Sequence, residues 1–402
     1  MSDPARGPAS RLAVLDGYRA LAILAVIAFH YSVRWTPPRA AESAYPYGSA
    51  LVPFQPFHYG WLGVEFFFMI SGFVIVMTLE RCDSVGDFLR RRLARLWPSM
   101  LVCATLTLAV VDLLGEPKEH VGGWSWLFSV LFVDPALPSR LLGIQAAWVD
   151  PVYWSLWVEV RFYLVAAVAF LLFGRRFLPG WLLFQCAVVA INLVALRLGG
   201  GAVKAVDLLL VPAYLPYFTM GIAFHAIFRS GRWGALPLAA IAVATAVAVL
   251  QAPTLFAIEE VGGIGPILLA HAAMLALFAL FVRRSPLVAP FGRRGWARLG
   301  QASYSLYLLH MVAGVVLLRL LAAVLPPYAA LAAVLALVIA TALLLFRLVE
   351  EPAKRALLDA TARPVAALAR RWPWQRFATA PHGVPQRAAG AEAPQPSPLL
   401  PV

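Results

Sequence analysis

The chain reads as all-α, a polytopic membrane helical bundle of about ten transmembrane helices, and three observations lead there. Of its 402 residues 61% are hydrophobic and 13% charged, with a mean hydropathy of +0.78, far outside the composition of a soluble domain. Apolar stretches recur along the chain, each long enough, or nearly so, to cross a bilayer core of about 30 Å as a helix. Arginine and lysine collect in alternate connections, as they do in proteins of many spans.

The first stretch, at about 12 to 33, contains RALAILAVIAFHYSVRW, residues 19 to 35. Arg19 is followed by ten apolar residues and then by His30, which lies roughly 16 Å further along a helix axis. Asp16, Arg19, Ile23, Val26 and His30 share one stripe, because eleven residues at 100° each come within about 20° of whole turns. Polar groups at that depth are costly unless they face the bundle interior or a wet cavity, so the stripe points inward. His30 is then either a structural partner of a neighbouring helix or a functional group.

The second stretch, at 61 to 79, opens on GWLGVEFFFMISGFVIV, in which Gly60, Gly63, Ser71 and Gly72 offer small faces for close helix approach. Glu65 sits among them, either solvated near the outer interface or buried in a site. Before the third stretch, at 97 to 114, comes FLRRRLARLWP, residues 88 to 98. Positive-inside anchoring explains its charge. The i, i+3 placing of Arg92 and Arg95 also makes a double-guanidinium face suited to phosphates.

The fourth stretch, at 152 to 173, carries YWSLWVEVRFYL, with Ser155 and Glu159 at i, i+4 on one face and Arg161 pointing elsewhere. Glu159 needs a buried partner, and His30 and the arginines are the candidates. Four more apolar stretches follow at 177 to 198, 208 to 228, 234 to 250 and 264 to 282. The ninth, at 301 to 323, opens on GQASYSLYLLH, mixing hydroxyls, Tyr304, Tyr307 and His310 into an apolar run; the tenth covers 328 to 349. For the tyrosines, interfacial anchoring and ligand contact are both open.

Connections after even-numbered spans are basic, through Arg81, Arg90, Arg91, Arg92 and Arg95, then Arg175 and Arg176, Arg229 and Arg232, and Arg283, Arg284, Arg293, Arg294 and Arg298. Those after odd spans carry few basic residues or none. Both termini are therefore expected to be cytoplasmic. The chain divides into a cytoplasmic N-terminal segment at 1–11, a membrane domain at 12–352 and a cytoplasmic tail at 353–402. That tail is Ala, Pro and Arg rich and largely disordered, above all from about Ala378.

The net charge of +13 does not indicate nucleic acid, since arginines at cytoplasmic turns are what topology requires. The first span has no small-residue cleavage site and is not a signal peptide. Cys82, Cys103 and Cys186 have no ligand or redox spacing, so neither a disulfide framework nor a metal site is expected. No histidine stands five residues before an aspartate in the manner of soluble acyltransferases, and there is no Gly-x-Ser-x-Gly elbow or phosphate-binding glycine loop.

Taken together, these stretches resemble the acyltransferase family 3 integral membrane proteins, a bacterial group that O-acylates sugars, polysaccharides and some macrolides. The resemblance runs from Leu12 to about Pro352. It rests on Arg19 and His30 with ten residues between them, on GVEFFFMISGFVI (Gly63 to Ile75), and on Arg92, Arg95 and Pro98. WSLWVEVRFYL (Trp154 to Leu164), SYSLYLLH (Ser303 to His310) and the closing Glu350, Glu351 and Pro352 complete it. Each motif alone is weak; their order and spacing are specific. Glu65 departs from the aspartate common in the family, and the extracytoplasmic hydrolase-like domain of some members is absent from this sequence, which leaves completion to the membrane domain or a separate partner.

The resemblance implies a multi-pass protein of the bacterial inner membrane that needs no bound cofactor. It implies an acyl-CoA donor, most often acetyl-CoA, arriving from the cytoplasm, and a sugar, glycan or macrolide-like acceptor on the other side. His30 and Glu159 are the expected catalytic residues. Arg19, Glu65, Ser71, Arg92, Arg95, Trp154, Ser155, Tyr304 and His310 are expected to bind substrates. Arg92 and Arg95 would take the donor phosphates. His30, with an ordinary pKa of about 6.5, would take the acceptor proton while Glu159 or Glu65 orients its ring. An acyl-histidine relay stays open beside direct transfer. The alternative class is a transporter or flippase with an ionisable mid-membrane site, which would show an internal repeat between the two halves.

Overall fold

The computed structural model describes residues 8–372 and 377, apart from residues 38, 41, 117–118 and 260–263. The described residues form an α-helical bundle without a β-strand. Eight runs are long and apolar enough to cross a membrane, or nine with a bent pair taken as one span. The difference from the expected ten lies in Pro151–Leu198, which is a single 48-residue run containing two helices. The rings of Phe162 and Trp181 stand 5.7 Å apart, so the chain turns back on itself between them, at Gly174 with φ 49°.

Helix α1 (Pro8–His30) carries the Arg19–His30 stripe, and α2 (Gly63–Leu79) packs across it. The crossing is backbone against backbone, since a Cβ on Gly63 would lie 2.4 Å from the Ala22 carbonyl oxygen. On its other side α2 locks into α6, as set out below. Small residues drive such contacts in lipid, where burying apolar surface gains little.

Helix α3 (Val85–Leu114) is capped by the Ser84 hydroxyl, which accepts from the Asp87 amide. At 30 residues it is about 45 Å long, longer than a bilayer core. The segment bearing Arg92 and Arg95 is therefore its first turns rather than a loop, and Pro98 lies inside the helix instead of opening it. Helices α4 (Trp154–Phe173) and α5 (Phe177–Leu198) form the hairpin described above, and α6 (Leu215–Ser230) packs along α2. There a Cβ on Gly72 would meet the Phe218 carbonyl oxygen at 2.2 Å, and one on Gly221 the Met69 carbonyl oxygen at 2.0 Å. Helices α7 (Ala235–Glu259) and α8 (Ile264–Val282) complete that side, with Phe278 and Phe281 packed on Phe73 and Tyr18.

The ninth span is broken. Helices α9 (Ser303–Leu309) and α10 (Val312–Ala322) meet at 63°. Helix α11 (Pro327–Leu345) follows and runs through one π-helical turn, Phe346–Glu350, into α12 (Glu351–Arg371). The region after Pro352, expected as a largely disordered tail, starts as a helix packed on α3, where Arg90 donates to the Leu358 carbonyl at 2.7 Å. Phe377 is buried against the Phe170 ring. The stretch from Ala378, expected to be disordered, lies outside the described residues, as do residues 1–7.

Candidate active site

Two cavities meet inside the bundle. The first, about 70 Å³, is lined by Arg19 of α1, Ser71 of α2, Arg92 and Arg95 of α3, Ser155 and Glu159 of α4, and Tyr304 of α9. It draws together most of the expected site residues, from five helices. The Arg19 guanidinium is held by Asp16 at 2.7 Å. That of Arg92 donates to the Thr78 hydroxyl at 2.5 Å and lies over the rings of Phe88 and Tyr163. One Glu159 oxygen accepts from both Ser71 (2.8 Å) and Tyr163 (2.5 Å). Tyr304 donates to the Leu96 carbonyl at 3.0 Å, and the hydroxyls of Ser155 and Tyr307 stand 2.8 Å apart. Three guanidiniums and the Glu159 carboxylate line one small, largely apolar space, an arrangement that can hold an anion by guanidinium forks.

Behind this chamber Glu350 anchors α3 to α9. It is buried, and Ser99 and Ser305 each donate to its carboxylate at 3.2 Å. The π turn at Phe346–Glu350 inserts a residue into the helical phase, which is how the last motif of the sequence reaches the bundle interior.

The second cavity, about 200 Å³, is lined by His30 and Arg34, by Trp61 and Glu65, and by Trp154, Tyr214 and Met311. Val64 and Tyr307 line both cavities. They form a common wall between an arginine chamber and a histidine chamber. Arg19 and His30, one helical stripe, thus serve the two chambers in turn.

His310 Nε2 stands 2.9 Å from His30 Nδ1, and His310 Nδ1 stands 2.8 Å from the Tyr307 carbonyl oxygen. A carbonyl only accepts, so His310 carries its proton on Nδ1 and its Nε2 accepts from His30 Nδ1–H. That tautomer chain leaves the Nε2 lone pair of His30 as the basic one. The partner of His30 is therefore His310, and neither carboxylate has that place. Helix α4 enters the bundle at Trp154 beside the histidine chamber, so Glu159, about 7.5 Å further along, is carried into the arginine chamber. Glu65 and Trp154 do line the histidine chamber.

The break in the ninth span positions His310, and side chains satisfy the backbone groups it frees. Tyr31 donates to the His310 carbonyl at 2.5 Å, and Tyr153 to that of Leu308 at 3.0 Å. Asp150, fully buried, accepts from the amides of Val152 (3.1 Å) and Val312 (2.9 Å). It precedes the fourth span, and burial pushes its carboxyl up to about 7 against the pull of those two amides. Gly314 makes room for Tyr31, whose hydroxyl a Cβ there would meet at 1.7 Å. Tyr45, from the loop after α1, donates to the His30 carbonyl and so ends that helix at the site. Reading the sequence missed Asp150, Tyr31, Tyr153 and Tyr163. Two signals were available: Asp150 stands just before Pro151, a capping position, and Tyr163 is four residues from Glu159. Among the described residues no group of three or more His, Cys, Asp or Glu is arranged to hold a metal ion.

Comparison with known proteins places the chain in a family. A family model described as an acyltransferase domain matches residues 12–346. The chain is 30% identical to the acyltransferase MdmB of Streptomyces mycarofaciens over 325 residues, 75% of this chain and 79% of that one. It is 25% identical to the O-acetyltransferase OatA of Staphylococcus aureus over 41% of this chain, and 27% identical to the peptidoglycan O-acetyltransferase OatA of Listeria monocytogenes over 45%. Those alignments span 26% and 27% of the two OatA proteins' own lengths. No solved structure matches. With the family match covering the helices that build both chambers, the chain belongs to the acyltransferase 3 family and is a membrane acyltransferase.

Proposed function

We propose that the protein O-acylates a sugar-containing acceptor, taking the acyl group from acyl-CoA, with acetyl-CoA as the usual donor. The observation that carries this is the common wall at Val64 and Tyr307. A donor whose phosphates are held by Arg19, Arg92 and Arg95 has its thioester arm directed at the wall behind which His30 lies. The positive-inside bias puts the arginine chamber on the cytoplasmic side, where acyl-CoA is, with both termini on that side of a bacterial inner membrane. The O-acetyltransferase relatives, one of them named for peptidoglycan, support a glycan as acceptor.

In this reading His30 Nε2 takes the acceptor hydroxyl proton as that oxygen attacks the thioester carbonyl. The tetrahedral intermediate collapses with loss of the C–S bond, and the imidazolium returns the proton to the leaving thiolate, giving free CoA thiol and the ester. His310 steadies the imidazolium through the hydrogen bond it accepts from His30 Nδ1–H, and the Tyr307 carbonyl fixes the His310 tautomer. Glu159, held by Ser71 and Tyr163, shapes the donor chamber.

The test uses the purified chain in sealed vesicles, with radiolabelled acetyl-CoA supplied to one face and β(1,4)-linked N-acetylglucosamine trimer to the other. Label should appear on the saccharide only when acetyl-CoA faces the basic connections. Accumulation of unmodified saccharide across the membrane, without label, would mark a transporter instead.

A further inference from the structure

A third cavity adjoins the histidine chamber and takes no part in the chemistry above. It encloses about 520 Å³ between helix Ala136–Leu142, the first turns of α4, and the segment running from helix Gly200–Leu210 to Tyr214. Trp154 and Tyr214 line this cavity and the histidine chamber alike, with their rings 5.1 Å apart. All of its lining comes from connections after odd-numbered spans or from the adjoining end of α4, which is the side opposite the basic connections.

Size is the first argument. The histidine chamber, about 200 Å³, is smaller than the roughly 300–1,000 Å³ of ordinary ligand sites. It holds the reacting end of an acceptor and leaves the rest to lie elsewhere. The third cavity is the larger space directly next door.

Chemistry is the second. Trp157 is half-buried in the wall, and the Arg161 guanidinium lies 4.7 Å from its ring centre. That guanidinium is fixed by donating to the carbonyls of Asp207 (2.8 Å) and Leu208 (2.6 Å). Arg140 and Lys204 add positive charge and the Asp134 and Asp207 carboxylates negative charge. A lining of mixed sign does not select an anion or a cation. It offers donors and acceptors to a neutral ligand rich in hydroxyls and amides, while the face of the Trp157 indole opposite Arg161 takes the C–H face of a ring.

Backbone strain is the third. Val211, in the same wall, sits at φ 50°. A β-branched residue is held in that region only where its surroundings over-determine it, and such positions gather at ligand sites.

From these, and resting on the acyltransfer reading above, we infer that the third cavity is a saccharide subsite: the acceptor is an oligosaccharide whose reacting ring enters the histidine chamber while a neighbouring ring stacks at Trp157. The acceptor is thus larger than a single sugar, and Trp154 and Tyr214 form the partition its glycosidic link passes.

Binding to the full chain in nanodiscs, read by tryptophan fluorescence and independent of turnover, tests this with N-acetylglucosamine and its β(1,4)-linked trimer as probes. The trimer should bind at least tenfold tighter than the monomer. Trp157→Ala should cut that preference roughly threefold to tenfold, Trp157→Phe should retain most of it, and Ala205→Trp, which puts an indole into the cavity, should reduce it at least as far. Each variant is first matched to wild type in melting temperature. Equal binding of the two probes by wild type, no binding of either, or an unchanged preference in Ala205→Trp would overturn the subsite. Tight trimer binding without acetylation would leave the subsite standing and sink the acyltransfer reading instead.

Discussion

His30 and His310, 280 positions apart in the chain, face each other at 2.9 Å, Nδ1 to Nε2, at the meeting of α1 with the break between α9 and α10. The pairing sets which nitrogen of His30 is basic. His30→Ala should lower acyl transfer by a factor on the order of 100 to 10,000 at matched membrane abundance. His30→Gln keeps a hydrogen-bonding group without a titratable nitrogen and should be nearly as inactive; an active Gln variant would make His30 structural. His310→Ala should cost less, about tenfold to a hundredfold, because the base survives while its tautomer is no longer fixed.

Donor binding should depend on the paired guanidiniums of α3. Replacing Arg92 and Arg95 by Ala should weaken acyl-CoA binding, and the difference from wild type should shrink as salt rises. Arg92→Lys should be only partly tolerated, since an ammonium cannot make the bidentate contact. Isothermal titration with the correctly inserted variants decides; undiminished affinity in the double variant reduces the motif to a topology signal.

Asp150 links stability to pH. Its carboxyl, pushed up to about 7 from an unfolded value near 3.9, is held protonated more tightly in the folded chain than in the unfolded one. That contribution is fully present below about pH 4 and lost as pH rises through about 7. Asp150→Asn cannot ionise, so its melting temperature should change less than that of wild type between those values. It also supplies one acceptor oxygen where two amides ask for one each, a loss of about 1–3 kcal/mol. Parallel melting curves across the window would remove Asp150 as the cause.

Topology is open to direct measurement. A reporter active only outside the cytoplasm should be active when fused after residue 120 and silent after residue 231. The reverse pattern would put the arginine chamber on the wrong side for a cytoplasmic donor.

The parts of this site that were legible in the sequence are those governed by helix arithmetic. Arg19 with His30, and Arg92 with Arg95, share faces because their spacing says so; the arginine chamber collects the three arginines, and His30 lines the chamber beside it. The break after Leu309 was not legible. Neither proline nor glycine stands between Leu306 and Val312, and the bend is held instead by Tyr31, Tyr153 and Asp150 from elsewhere in the chain. The same holds for the partner of His30. A carboxylate was the natural expectation from triad logic, but the packing of α1 on α9 brings His310, a choice made by tertiary structure that no local pattern records. Glu350 was legible as a motif and not as an inward-facing residue, because the π turn that rotates it leaves no mark in the hydropathy.

The common wall at Val64 and Tyr307 also has an electrical meaning. In the proposed reading a donor on one face of the membrane and an acceptor on the other, elsewhere separated by about 30 Å of hydrocarbon, meet at this wall, and an applied voltage would fall most steeply across it. A unit charge carried through the full drop does work of about 2.3 kcal/mol per 100 mV. In the proposed step the acyl group moves one way as the acceptor's proton moves the other to the leaving thiolate, so no net charge crosses. With the donor's anionic remainder kept on the arginine side, transfer through this wall would have the same driving force in an energised cell and a depolarised one.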